Sequence, residues 1–182
     1  MATRKIAVLI GSLRKESFSR KVAKTMMLLA PPTLDLEIVE IGQLAMYNQD
    51  DDDNPPPTYT EFRERIKAVD GVLFVTPEYN RALPAVLKNA IDVGSRPYGA
   101  SAWNGKPCAV ISVSPGAIGG FGANHSLRQS LVFLNMPALQ REAYVNNIGG
   151  QFDGDKLNNE ATRTFLQGHV DAFAAWVERH AD

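Results

Sequence analysis

The chain has 182 residues, 45% hydrophobic and 21% charged, as expected of a single soluble domain, residues 1–182, with a sizeable core. Nineteen Lys and Arg against 20 Asp and Glu leave a net charge of -1. That argues against a nucleic-acid binder, which would show a basic surplus, and mildly disfavours a dedicated electron carrier, which usually steers to partners by strong acidity. One cysteine excludes an internal disulfide and a cysteine-ligated cluster. The apolar run behind Arg4 and Lys5 is too short for a signal-peptide core, and no stretch is long enough to span a membrane, so a cytoplasmic protein is expected.

The first element is an all-apolar strand, Ile6 to Ile10, closed by Gly11, where a glycine-only turn with φ > 0 is expected. Four donors follow in eight residues: Ser12, Arg14, Ser17 and Ser19. A helix comes next, with Phe18, Val22, Met26 and Leu29 on one face and Ser17 as a natural N-cap. Strand, donor-rich loop and helix N-terminus form an arrangement that holds a phosphate. Arg14 or Arg20 could add a guanidinium fork. The loop lacks the second glycine of a P-loop and the G-x-G-x-x-G of a dinucleotide fold. It also lacks the thiol of a cysteine phosphatase, since Cys108 lies far along the chain. A monophosphate such as that of FMN remains.

Pro31 and Pro32 stop the first helix, and a second strand is predicted over Leu34 to Ile41. Asp50 to Asp53 and Pro55 to Pro57 read as a solvated loop, because neighbouring carboxylates point apart and no spaced ligand pattern follows. No metal site is expected. Thr58 and Glu61 predict a capping box for a second helix, with Phe62, Ile66 and Val69 inward. Gly71 to Thr76 is a buried strand, Pro77 to Pro84 a proline-stiffened loop, and Ala85 to Val93 a helix. Tyr98 and Trp103, in the loop from Gly94 to Gly105, are expected to be buried between subunits, because a monomer would expose them. Pro107 to Val113 is a fourth strand, with Cys108 as an inert core residue. The glycine-rich run Ser114 to Gly122 precedes a helix with Leu127, Leu131 and Leu134. His125, just past that run, is expected at the surface or an interface, and His169 and His180 show no ligand spacing. A fifth strand is predicted over Leu139 to Val145 and a last helix over Leu157 to His180.

Strands apolar on both faces, each followed by a helix, predict an α/β fold: a doubly wound, three-layer sandwich around a parallel five-stranded sheet. With phosphate at the first loop, the flavodoxin-like order 2-1-3-4-5 follows. In that order the ligand crevice is made by the loops after strands one, three and four. Those are also the three most unusual loops of the chain. In the middle one, two prolines fix the backbone donors, Tyr79 can cover an aromatic face and Asn80 can bond a ring edge. The Glu78 and Arg81 side chains read equally well as ligands or as solvated groups. In the third, glycines let the backbone approach a planar ligand.

Gly11-Ser-Leu-Arg14 with Ser17-Phe-Ser19, Pro77-Glu-Tyr-Asn80 leading to Leu87-Lys-Asn-Ala-Ile-Asp92, and the Gly119-Gly120 loop together resemble the NAD(P)H-dependent FMN reductases, nearest the quinone and chromate reductase branch. The resemblance implies tightly held FMN, with Ser12, Arg14, Ser17, Phe18 and Ser19 at its phosphate. Pro77, Glu78, Tyr79 and Asn80 would line the ring, and Ser114 and Gly116 its other edge. It implies hydride transfer from NADPH or NADH through FMN to a quinone, free flavin, azo compound or metal ion, with no catalytic side chain assigned. It also implies a homodimer or homotetramer. The alternative is a non-enzymatic FMN carrier or a flavin-binding regulator. Arg81 and Phe121 fall outside the family's motif positions and leave the acceptor open.

Overall fold

Strands buried on both faces need cover on both, and this chain supplies it by following each strand with a helix. The computed structural model describes residues 2–180. It runs β1 (Arg4–Ile10), α1 (Phe18–Leu29), β2 (Leu34–Ile38), α2 (Pro57–Lys67), β3 (Gly71–Thr76), α3 (Ala85–Gly94), β4 (Cys108–Val113), α4 (Phe121–Phe133) and β5 (Ala143–Val145). A small hairpin, β6 (Phe152–Asp153) and β7 (Lys156–Leu157), leads into α5 (Glu160–His180). The sheet order is 2-1-3-4-5, with every neighbour parallel.

Alternation along the strands divides the core in two. Ile6, Val8 and Ile10 of β1 pack with Val22 and Met26 of α1 and Val170 and Phe173 of α5. Ala7 and Leu9 face the other way, against Phe62 of α2, Leu87 and Ile91 of α3, and Leu127 of α4. Registers such as Val8 opposite Leu73 keep each set on its own face. Cys108 is buried in β4, and burial pushes its thiol up to about 12, so it packs as a small hydrophobe. Among the described residues no helix is long and apolar enough to cross a membrane.

Several boundaries differ from the sequence reading. Helix α2 starts at Pro57 with Pro56 as its cap residue and no side-chain cap bond, so Thr58 and Glu61 form no capping box. Proline at the first helical position needs no donor partner and sets the boundary itself. Helix α5 starts at Glu160, where Asn159 Oδ1 accepts the Thr162 N–H at 2.9 Å. Leu157 belongs to the β6–β7 hairpin, which Lys24 holds against α1 through a 2.7 Å ion pair with Asp155. The second and fifth strands are shorter than expected, ending at Ile38 and starting at Ala143.

Trp103 overturns the expectation of an inter-subunit aromatic. It is fully buried in its own subunit, its indole N–H donates to the Ile91 carbonyl at 2.9 Å, and its ring lies between Phe62 and Phe74. Gly94 makes room for it: a Cβ there would sit 2.5 Å from the indole. Tyr98, from the same connection, is 92% exposed.

Candidate functional site

The loops after β1, β3 and β4 meet at the carboxyl ends of the strands, around a cavity of about 210 Å³. Nine of the eleven predicted residues line it. Ser12, Arg14, Ser17, Phe18 and Ser19 come from the first loop and the start of α1, Pro77, Glu78 and Tyr79 from the second loop, and Ser114 from the third. Asn80 and Gly116 belong to the same loops but stand outside the lining. A larger groove, about 960 Å³, lies between the C-terminal turns of α3 and α4 and the connection after α3. It lies in the helical layer on one face of the sheet, away from the carboxyl strand ends where an α/β fold gathers its ligands.

The first loop keeps its donors available. Ser17 caps α1, its Oγ accepting the Arg20 N–H at 3.2 Å, and its own hydroxyl proton stays free. The N–H groups of Phe18 and Ser19 stand in the first helical turn, where no intrahelical acceptor exists. Ser12, Ser17 and Ser19 are buried, so their hydroxyls are held in place. Of the two arginines, Arg20 is committed elsewhere, forming a two-pronged pair with Glu40 at 2.8 Å on each arm. The Arg20 fork also holds the Glu40 carboxyl below its usual range. Arg14 is exposed, borders the cavity, and makes no ion pair among the described residues. Gly11 departs from expectation, since its φ is not positive. A Cβ there would be crowded instead, meeting Thr76 Oγ1 at 3.1 Å and Pro77 Cδ at 3.2 Å.

The second loop is a two-residue hairpin. Tyr79 and Ala82 exchange backbone hydrogen bonds of 3.1 and 2.9 Å, with Asn80 at φ +48° and Arg81 at φ +64°. These are the left-handed values of a type I′ turn, which favours glycine at its second central position. The Glu78 side chain, one of the two left open, points neither into solvent nor plainly at a ligand. It is 13% exposed, and its Oε2 accepts the Ala123 N–H in the first turn of α4 at 3.1 Å. Arg81 extends outward, 72% exposed, and its Nη1 reaches Glu78 Oε1 at 3.3 Å.

The third loop's glycines serve the chain itself more than a ligand. A Cβ on Gly119 would strike Tyr144, and one on Gly122 would lie 2.5 Å from the Arg81 carbonyl oxygen. His125 faces outward on α4, beside Phe121 with ring centroids 4.2 Å apart. Its Nε2 lies 3.0 Å from the Tyr144 hydroxyl, which donates to Glu142. Burial, then the Glu142 carboxylate, push the Tyr144 hydroxyl up to about 12. Sequence reasoning missed this cluster, because its members come from an edge strand and a helix and show no common spacing. Among the described residues no group of three His, Cys, Asp or Glu could hold a metal ion.

Residues 4–150 match the family model of the NADPH-dependent FMN reductases. A quinone reductase of Pseudomonas putida is 61% identical over 175 residues, covering 95% of this chain and 94% of that protein. A 2-hydroxy-1,4-benzoquinone reductase of a Burkholderia species is 43% identical, covering 95% and 96%. Among solved structures, a flavoenzyme NAD(P)H:(acceptor) oxidoreductase from Paracoccus denitrificans superposes with a TM-score of 0.93 at 40% identity, over 99% of this chain and all of that one. A flavodoxin from Pseudomonas aeruginosa, 19% identical with a TM-score of 0.62, shares the fold.

Proposed function

The chain belongs to the NADPH-dependent FMN reductase family, and from that premise we propose that the strand-end cavity holds FMN and that the protein is an NAD(P)H-dependent quinone reductase. One observation carries this reading. Three loops far apart in sequence converge on one cavity with their donors unspent. The donor set fits a flavin monophosphate: buried hydroxyls, two helix-start N–H groups and one uncommitted guanidinium suit a single phosphate. The first loop lacks the G-x-G-x-x-G of a dinucleotide fold, which favours FMN over FAD.

In this reading Ser12, Arg14, Ser17, Phe18 and Ser19 bind the phosphate end. Pro77, Glu78 and Tyr79 would face the ring with their backbone and Ser114 would close its other edge, while Asn80 and Gly116 belong to the same loops but stand outside the lining. The bound flavin supplies two-electron chemistry between a reduced nicotinamide and an oxidised acceptor. The protein's part is placement and electrostatics. The fixed N–H donors of the second loop would stabilise negative charge at the ring edge without reorganising. Tyr79, half-exposed beside the cavity, would flank the bound ring and be reachable by nicotinamide and acceptor from solvent. No acid or base among the lining residues is required for hydride delivery. We take a quinone as the acceptor, ahead of free flavins, azo compounds and oxidised metal ions, because the Pseudomonas putida and Burkholderia relatives are named for quinones.

Tyr98, Phe133 and Val132 form an exposed apolar stretch beside the larger groove, with Tyr98 92% and Phe133 87% exposed. We place a second copy of the chain there, forming a dimer.

The deciding experiment is anaerobic. NADPH or NADH should bleach the FMN-loaded protein, and one equivalent of 1,4-benzoquinone should restore the oxidised spectrum without a stable one-electron species. A long-lived semiquinone together with slow oxidation of NADPH would instead make the protein an electron carrier.

A further inference from the structure

The second loop adopts a turn that suits Asn80 but not Arg81, which stands where glycine is preferred. Asn80 and Arg81 are consecutive non-glycine residues in the left-handed region, and arginine at this turn position is costly. Such strain persists only where surrounding structure over-determines it. Two contacts with α4 do so here: the Glu78 carboxylate on the Ala123 N–H, and the Arg81 carbonyl seated against Gly122, where a Cβ would lie 2.5 Å away. The carboxylate also faces the positive end of the α4 dipole. Meanwhile, among the described residues, the N–H groups of Glu78, Asn80 and Arg81 donate to no protein acceptor.

We propose that the Glu78 side chain is a positioning residue, a brace that ties the strained Tyr79–Ala82 hairpin to the start of α4 and so fixes the free N–H groups beside the cavity. This rests on the reading of that cavity as the flavin site, but the brace itself is testable without flavin. Glu78 does not touch the reacting atoms in this role. The requirement is for an acceptor oxygen at the Ala123 N–H, and a glutamine carbonyl can supply it, whereas a proton-transferring carboxylate could not be replaced that way.

The experiment uses the full-length chain, with and without FMN, as wild type, Glu78→Ala and Glu78→Gln. Amide exchange is measured at Tyr79 and Ala82, the two N–H groups of the hairpin, against core amides of β1 and β3 as the internal standard. In the flavin-free protein, Glu78→Ala should speed exchange at both hairpin amides by at least about tenfold, with core amides unchanged, and Glu78→Gln should stay near wild type. With FMN, Glu78→Ala should weaken binding by about tenfold and shift the flavin potential to more negative values, and Glu78→Gln should restore both. If Glu78→Ala folds poorly, Gly122→Ala, whose Cβ would lie 2.5 Å from the Arg81 carbonyl oxygen and 3.0 Å from Glu78 Oε2, disturbs both contacts from the helix side and should release the same two amides. Unchanged hairpin exchange in these variants overturns the brace. So does loss of function in Glu78→Gln equal to that in Glu78→Ala, which would make the carboxylate itself the active group. Wild-type protein that fails to bind FMN would refute the flavin reading, leaving the exchange comparison to decide on the brace.

Discussion

Arg14→Ala separates a phosphate ligand from an ordinary surface arginine. Arg14 borders the cavity, is exposed, and holds no ion pair among the described residues, so little of the flavin-free fold depends on it. Its loss should therefore change folding stability by no more than about 0.5 kcal/mol. If the guanidinium bonds the FMN phosphate, its removal costs about 1.5–3 kcal/mol of binding, the range for a hydrogen bond to a charged group. At about 1.4 kcal/mol per decade this weakens FMN roughly ten- to hundredfold. Arg20→Ala is the control: that side chain is spent on Glu40, and the variant should bind FMN within about threefold of wild type. The assay is quenching of flavin fluorescence as each flavin-free protein is titrated with FMN. Hydride transfer at saturating FMN should be near normal in Arg14→Ala, because the phosphate end lies away from the reacting edge of the ring. Equal FMN dissociation constants for Arg14→Ala and wild type would remove Arg14 from the site and refute the reading of the first loop.

His169 is fully buried on α5 with neither ring nitrogen bonded among the described residues, and burial, then the Arg141 and Arg128 charges, lower its pKa to about 4. The native state thus favours the neutral ring, while the unfolded chain takes up a proton near the ordinary 6.5. Stability from this group is complete above pH 6.5 and is lost as pH falls toward 4. The loss is about 3 kcal/mol in all, which urea unfolding should show in wild type but not in His169→Leu. Trp103→Ala should cost about 3–5 kcal/mol of stability by opening a core cavity, and light scattering should find its assembly state unchanged, since the indole serves its own subunit. Cys108 should resist a thiol reagent in the native protein and react once urea unfolds it.

Much of the architecture could be read from the order of residues because it rests on local rules. Ile6–Ile10, Gly71–Thr76 and Cys108–Val113 are apolar on both faces, and that alone requires a sheet covered on both sides. Once the order is 2-1-3-4-5, topology brings Ser12, Pro77 and Ser114 to one rim without further information. What escaped depends on contacts across the fold. Trp103 reads as a surplus aromatic until Gly94 is seen to leave room for it. Glu78 reads as a ligand or a solvated charge until α4 is placed within its reach, because no spacing links residue 78 to residue 123. The glycines of the third loop suggested room for a ligand, yet those at 119 and 122 make room for Tyr144 and Arg81. Thr58 failed as a cap for a local reason that was visible: Pro57 already supplies a helix start.

The most direct test of the account is a calorimetric titration of the flavin-free protein with FMN, riboflavin and FAD. A cavity built around a single phosphate predicts one FMN per chain, with riboflavin at least about a hundredfold weaker for want of the phosphate contacts, and FAD weaker than FMN. Riboflavin or FAD binding as tightly as FMN would contradict it.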